Sequence, residues 1–276
     1  MIRRLSQMLT AAVLALVGLS LPVSTIVNEG CTVKTDTVFV HDTTNISATF
    51  VCFIKSYEQK AFLFSDPIAD LTVSKVKVEW DTDSFDMFKE LDDSYLFFFH
   101  AYSLPSRKTY KVTLTSNIGG CQGTCVIPDT TYIIQPVRED TFRVGYDILT
   151  VWRKVQNASF YYLYFWIYSY NNAGYTIRTI QADTFVVDTV FTLPASFFSD
   201  SNAAYYDVGL YVFTLTGPVI RAGATSNMQG FVKGFLYGGN TPAYTYFYVG
   251  TPLINRVTSV AEPDVENAIL KRLGVK

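Results

Sequence analysis

The sequence predicts an all-β chain of two tandem β-sandwiches behind an N-terminal export signal, with a short helix at the C-terminus. Three observations carry this. Aromatic residues make up 16% of the 276 residues, with 19 Tyr and 21 Phe, and with the many Val and Thr they suit pleated, half-buried surfaces. Short stretches of period-two alternation recur between turn signals at the spacing usual for sandwiches. The pattern stops and restarts near Pro136. We therefore expect a leader over residues 1–30, one sandwich over 31–137, a second over 138–251 and a tail over 252–276.

The leader comes first. Arg3 and Arg4 precede a run from Met8 to Val27 that contains no charge, the basic head and apolar stretch of an export signal. The run is also long enough to cross a bilayer. Pro22 breaks it late, and Ser20, Ser24 and Gly30 are small enough to precede a cut, while Gly30-Cys31 matches the end of a lipoprotein signal in which Cys31 is acylated. Asn28 and Glu29 depart from that signal. Cleavage, acylation and retention as an anchor stay open, and each leaves residues 31–276 outside the cytoplasmic membrane. The expected location is the cell envelope or extracellular space, with the membrane engaged through the signal or a lipid.

In the first sandwich, strands are expected in DTVFV, ISATFVCFI, LTVSKVKVEW, FDMFKEL, YLFFFHAY, TYKVTLTS and TTYIIQP. In YSLPSRKTYKVTLT, Leu104 and Pro105 precede Tyr110 and the alternating Val112 and Leu114. That spacing resembles the tyrosine corner of immunoglobulin and fibronectin type III domains. CQGTC follows one alternating stretch and precedes another, so Gln122, Gly123 and Thr124 read as a hairpin loop and Cys121 and Cys125 as a disulfide across it. Cys52, inside ATFVCFI, reads as a buried thiol, unless an unacylated Cys31 reaches it.

In the second half, ILTVWRKVQNASFYYLYFWIYSYNNAGYTIRTI resembles the B, C and C′ strands of a fibronectin type III domain, with Trp152 as its core tryptophan. FVVDTVFTLPASFF and YYDVGLYVFTLTG would supply E and F, and FVKGFLYGGNTPAYTYFYVG would close the sheet with a bend at Gly238 and Gly239. In PDVENAILKRLGVK, Val265, Ile269 and Leu273 share one helical face. Such a short helix is marginal alone. This layout resembles the two-domain β-sandwich lipoproteins of bacterial envelopes, which implies surface or periplasmic binding and scaffolding and no chemistry to carry over.

Composition excludes one class of partner. Lys plus Arg number 22 against 24 Asp plus Glu, with no basic run, and nucleic-acid binders need a basic face. The two histidines, His41 and His100, sit in no catalytic motif, and there is no nucleophile elbow, phosphate-binding loop or zinc-protease signature. The expected function is non-enzymatic binding or scaffolding. No cofactor is expected; the one metal candidate is calcium at DTDSFD, through Asp81, Asp83 and Asp86. The loop departs from an EF-hand, because Phe85 takes the fifth position and no glycine follows, and a solvated hairpin loop is the plainer reading.

The candidate binding surface lies in FYYLYFWIYSY. Alternation sends Leu163, Phe165 and Ile167 to one face and Tyr162, Tyr164, Trp166, Tyr168 and Tyr170 to the other. The first face suits a core. The second is a row of amphipathic rings suited to a protein partner or to sugar rings, or to packing against the first sandwich or the C-terminal helix. The alternative function is accordingly a carbohydrate-binding module or glycan-active accessory protein. Two glycosylation patterns, at Asn45 and Asn157, are expected by chance in a chain this rich in Ser and Thr.

Overall fold

A computed structural model describes residues 34–39, 50–56, 59–63, 73–92, 95–100, 103–116, 119–220, 224–230, 234–252 and 263–272. The leader, Cys31, His41, the Asn45 pattern and the end of the tail from Leu273 lie outside the described residues. Strands up to Val126 are β1 (Lys34–Phe39), β2 (Phe50–Lys55), β3 (Gln59–Leu63), β4 (Val73–Trp80), β5 (Asp83–Asp86), β6 (Phe88–Asp92), β7 (Tyr95–His100), β8 (Thr109–Ser116) and β9 (Gly119–Val126). Then follow β10 (Ile133–Gln135), β11 (Thr141–Phe142), β12 (Ile148–Trp152), β13 (Phe160–Tyr170), β14 (Thr176–Val186), β15 (Val190–Leu193), β16 (Tyr205–Thr216), β17 (Met228–Gly230), β18 (Gly234–Gly239), β19 (Ala243–Gly250) and the helix α1 (Val265–Arg272).

The later sandwich takes β12 to β16 and β19 from stretches that the alternation marks, and it also takes β10, which was expected in the earlier sandwich. β10, β12 and β15 form one sheet, and β14, β13, β16 and β19 lie side by side in the other. Residues of one parity fill the space between: Leu163, Phe165 and Ile167 from β13 and Val208, Leu210 and Val212 from β16 pack on Ile148, Trp152 and Leu193. Trp152 is 1% exposed and meets Tyr161 edge-on at 5.5 Å, as a core tryptophan on the early strand should. Period-two burial on a two-layer sandwich is the reason these strands hold their register.

The earlier sandwich sets the sheet β17-β9-β8-β4-β5 against strands that include β2 and β18. Its core joins Val76, Val78, Val112 and Leu114 to Cys52, Ile54 and Leu236. The corner is formed: Tyr110 is fully buried and its hydroxyl donates to the Pro105 carbonyl at 2.7 Å.

The cysteine reading is overturned. CQGTC is not a loop but the middle of β9, with Cys121 opposite Leu114 and Cys125 opposite Tyr110 on β8. The chain reverses between Ser116 and Gly119, which pair with each other. Four residues along one strand separate the two cysteines by about 13 Å, too far for a disulfide, and Cys52, Cys121 and Cys125 are free buried thiols. Alternation continues through the motif: Cys121 and Cys125 face the core while Gln122 and Thr124 are exposed.

The run expected to close the second sheet is shared out instead. β17 pairs with β9, and β18 runs parallel to β2 along its whole length, so both complete the earlier sandwich before β19 returns to pair with β16. The last two residues of β18 also pair with the end of β16, Leu215 to Gly239 and Thr216 to Gly238. One sheet of order β1-β14-β13-β16-β18-β2-β3-β7-β6 therefore runs through both sandwiches. Glycine is required at the junction, because a Cβ on Gly238 would lie 2.2 Å from the Val126 carbonyl oxygen. Asn240 fixes the exit, its amide donating to Pro128 O at 2.7 Å and its side-chain oxygen accepting from Thr241 N at 2.8 Å.

Candidate functional site

The aromatic row of β13 does point away from the core, and the structure divides it into three environments. Tyr162 is 1% exposed; it belongs to a third apolar cluster with Phe160, Phe213 and Tyr237 that Val265 and Ile269 of α1 help to cover. Tyr170 is equally enclosed, stacked on Tyr205 at 4.8 Å with planes 9° apart. Between them Tyr164, Trp166 and Tyr168 are half-buried. Trp166 and Tyr168 stack on each other at 5.5 Å with planes 28° apart, while Tyr164 meets Trp166 edge-on. Rings that share their faces in this way turn their edges to solvent.

Register extends the row into a two-dimensional array, which the sequence reading missed. Tyr164, Trp166 and Tyr168 lie opposite Tyr211, Gly209 and Asp207 of β16, and these lie opposite Tyr244, Tyr246 and Tyr248 of β19. Gly209 thus lies between an indole strand neighbour on one side and a phenol on the other. Tyr211 packs on Tyr244 at 4.6 Å. Arg138 sits 4.8 Å over the Tyr246 ring, and the Tyr246 hydroxyl bonds the Glu139 carboxylate. The signal was present in AYTYFYVG, whose alternation places three tyrosines on one face. Burial, then the Tyr211 hydroxyl, pushes Tyr244 up to about 12, and burial, then the Asp183 carboxylate, raises Tyr164. These phenols stay neutral donors at physiological pH.

At the Tyr164 end, α1 closes over the sheet and leaves a cleft of about 230 Å³ lined by Tyr162, Tyr164, Gln181, Asp183, Asn267 and Lys271, among others. Asp183 is its central charge. Its two oxygens accept from Tyr162 Oη at 3.2 Å and from the Arg272 guanidinium at 3.3 Å. Burial raises its pKa, opposed by Arg272. None of Gln181, Asp183, Asn267 or Lys271 is singled out by the sequence, because they converge from β14 and from a helix more than 80 residues away.

The acidic candidate separates into ordinary ion pairs. Asp81 lies in the turn between β4 and β5 and holds Lys108 at 2.7 Å, while Asp86 holds Lys75 at 2.8 Å. Asp83 opens β5, opposite Trp80. Among the described residues no three His, Cys, Asp or Glu side chains are grouped to hold a metal.

No family model matches the chain, and no curated protein matches it. Among solved structures it is similar to the fibronectin(III)-like modules of Clostridium thermocellum CbhA, at 7% identity over 79% of this chain and 96% of that one, with a TM-score of 0.24. It is similar also to the chicken CNTN1 FN1-FN3 domains, at 8% identity over 73% of this chain and 67% of that one, again with a TM-score of 0.24. Likeness at that level carries no functional argument. The all-β sandwich architecture stands on this chain's own strand pairing.

Proposed function

We propose that the chain is a non-enzymatic binding or scaffold protein, exported to the cell envelope or extracellular space, that holds a protein partner on the outer face of β13, β16 and β19. The export part rests on the Arg-headed apolar leader. The binding part rests on the half-exposed array around Trp166, Tyr168, Tyr244 and Tyr246. Tyrosine and tryptophan supply large contact area with few rotatable bonds and keep a polar atom for hydrogen bonding. Because stacked rings present edges and hydroxyls, a protein surface complements them better than the face of a sugar does. Tyr244 is the most open member, 43% exposed.

Affinity capture from an envelope fraction of the source cells tests this. The wild-type chain is expected to retain a protein that a Tyr168→Ser/Tyr244→Ser variant of near-normal melting temperature does not. A partner held equally by both, or none held by the wild type, overturns it. Carbohydrate binding is the second reading, favoured by the polar cleft beside Tyr164 rather than by the open row.

A further inference from the structure

The cleft between α1 and the β13–β14 pair has the chemistry of a ligand site distinct from the tyrosine array. Its formal charges cancel: Asp183 and Asp264 are opposed by Lys271 and by Arg272, which pairs with Asp183 at 3.3 Å. An ionic ligand gains little from such balance. A neutral ligand rich in hydrogen-bonding groups gains more, since each carboxylate oxygen of Asp183 has accepted one protein hydrogen bond and retains a lone pair. Among the described residues the Tyr164 hydroxyl and the Gln181 and Asn267 side-chain amides have no hydrogen-bond partner. Each amide offers both donors and an acceptor. The cleft also carries a half-buried aromatic wall in Tyr164, and about 230 Å³ is below the usual range for drug-sized ligands, so it admits a single ring and not a chain.

We propose that this cleft binds one neutral sugar residue, with Asp183 accepting from ring hydroxyls, Gln181 and Asn267 both donating and accepting, and Tyr164 forming the side wall. Adjacent hydroxyls on one ring each donate and accept, which a lining that mixes donors and acceptors matches and a peptide groove does not require. The proposal rests on the reading of the chain as a binding protein; the cleft shares only Tyr164 with the array, and Gln181 and Asn267, the residues that test it, lie outside the array, so the two fail separately.

Saturation-transfer NMR with the purified chain tests it, using methyl glycosides of the common neutral hexoses and N-acetylhexosamines. At least one is expected to receive saturation, with affinity falling tenfold or more in Gln181→Ala and in Asn267→Ala, and unchanged in Tyr168→Ser/Tyr244→Ser. Partner capture by the open array should survive Gln181→Ala. Asn267 is an exposed helical residue, so Asn267→Ala carries the test should Gln181→Ala fail to fold. The proposal is overturned if no glycoside binds, if binding persists in both cleft variants, or if it is lost only in the array variant.

Discussion

Tyr110 combines three physical roles in one side chain: it fills the earlier core, its hydroxyl ties β8 to Pro105 at 2.7 Å, and its burial pushes its pKa up to about 12. Unfolded tyrosine titrates near 10, so the neutral form is favoured by folding. The stability this contributes is complete below about pH 10 and is lost as pH rises from about 10 to 12. Tyr110→Phe should cost about 1 kcal/mol at neutral pH and should flatten the alkaline decline that Tyr244 also feeds. Urea unfolding of the two proteins at pH 8, 10 and 11 checks both effects; equal slopes would remove Tyr110 from the account. The corner was legible because it is written within seven residues. CQGTC was not, because Gln122-Gly123 reads as a turn and only the pairing of β9 with β8 places it inside a strand. Burial raises the thiols of Cys121 to about 11 and Cys125 to about 12 and raises Cys52 as well. Thiolate is the reactive form, so iodoacetamide at pH 8 should modify none of the three in the native protein and all three in denaturant. Native labelling of Cys121 or Cys125 would contradict their place inside the core.

At the scale of elements, α1 shows how an amphipathic segment too short to persist alone acquires its stability. Val265 and Ile269 are 2% and 0% exposed against the cluster that includes Tyr162 and Phe213. The sequence marked Val265 and Ile269 as one face and left the docking open. Alternation along β13 likewise marks which residues face outward but not what covers them, since the cover comes from residues about a hundred positions later. Among the described residues two ion pairs hold the docked helix, Lys55 with Glu266, both side chains 6% exposed, and Arg272 with Asp183. Ile269→Ala should cost 2–5 kcal/mol, as a buried aliphatic truncation. Lys55→Met should cost about 3–5 kcal/mol because it strands the Glu266 carboxylate, and adding Glu266→Leu should restore most of that loss. A double-mutant cycle by urea unfolding measures the coupling. Additive losses would mean that the pair is solvated and that α1 is held by its apolar face alone.

At the scale of the whole molecule, the continuous sheet should couple the two sandwiches into one cooperative unit rather than beads on a string. β18 belongs to the earlier sandwich through β2 and touches the later one through β16. At that point Thr216 Oγ1 donates to Val126 O at 2.6 Å and accepts from Gly238 N at 3.1 Å. The ends of β9, β16 and β18 thus meet in one hydrogen-bonded knot. A valine at 238 would bring its Cβ to 2.2 Å from Val126 O and 2.6 Å from Thr216 Oγ1, and neither atom can swing away without breaking a strand end. We expect Gly238→Val to destabilise by about 3 kcal/mol or more. Trp80 lies beside the earlier core and Trp152 within the later one, so variants in which Trp166 is replaced and only Trp80 or only Trp152 is kept report each sandwich by fluorescence. If the sheet couples them, the two urea transitions coincide in the parent and shift together in Gly238→Val. If Gly238→Val moves only the Trp80 transition and leaves the Trp152 transition in place, the sandwiches unfold independently and the shared sheet contributes no coupling.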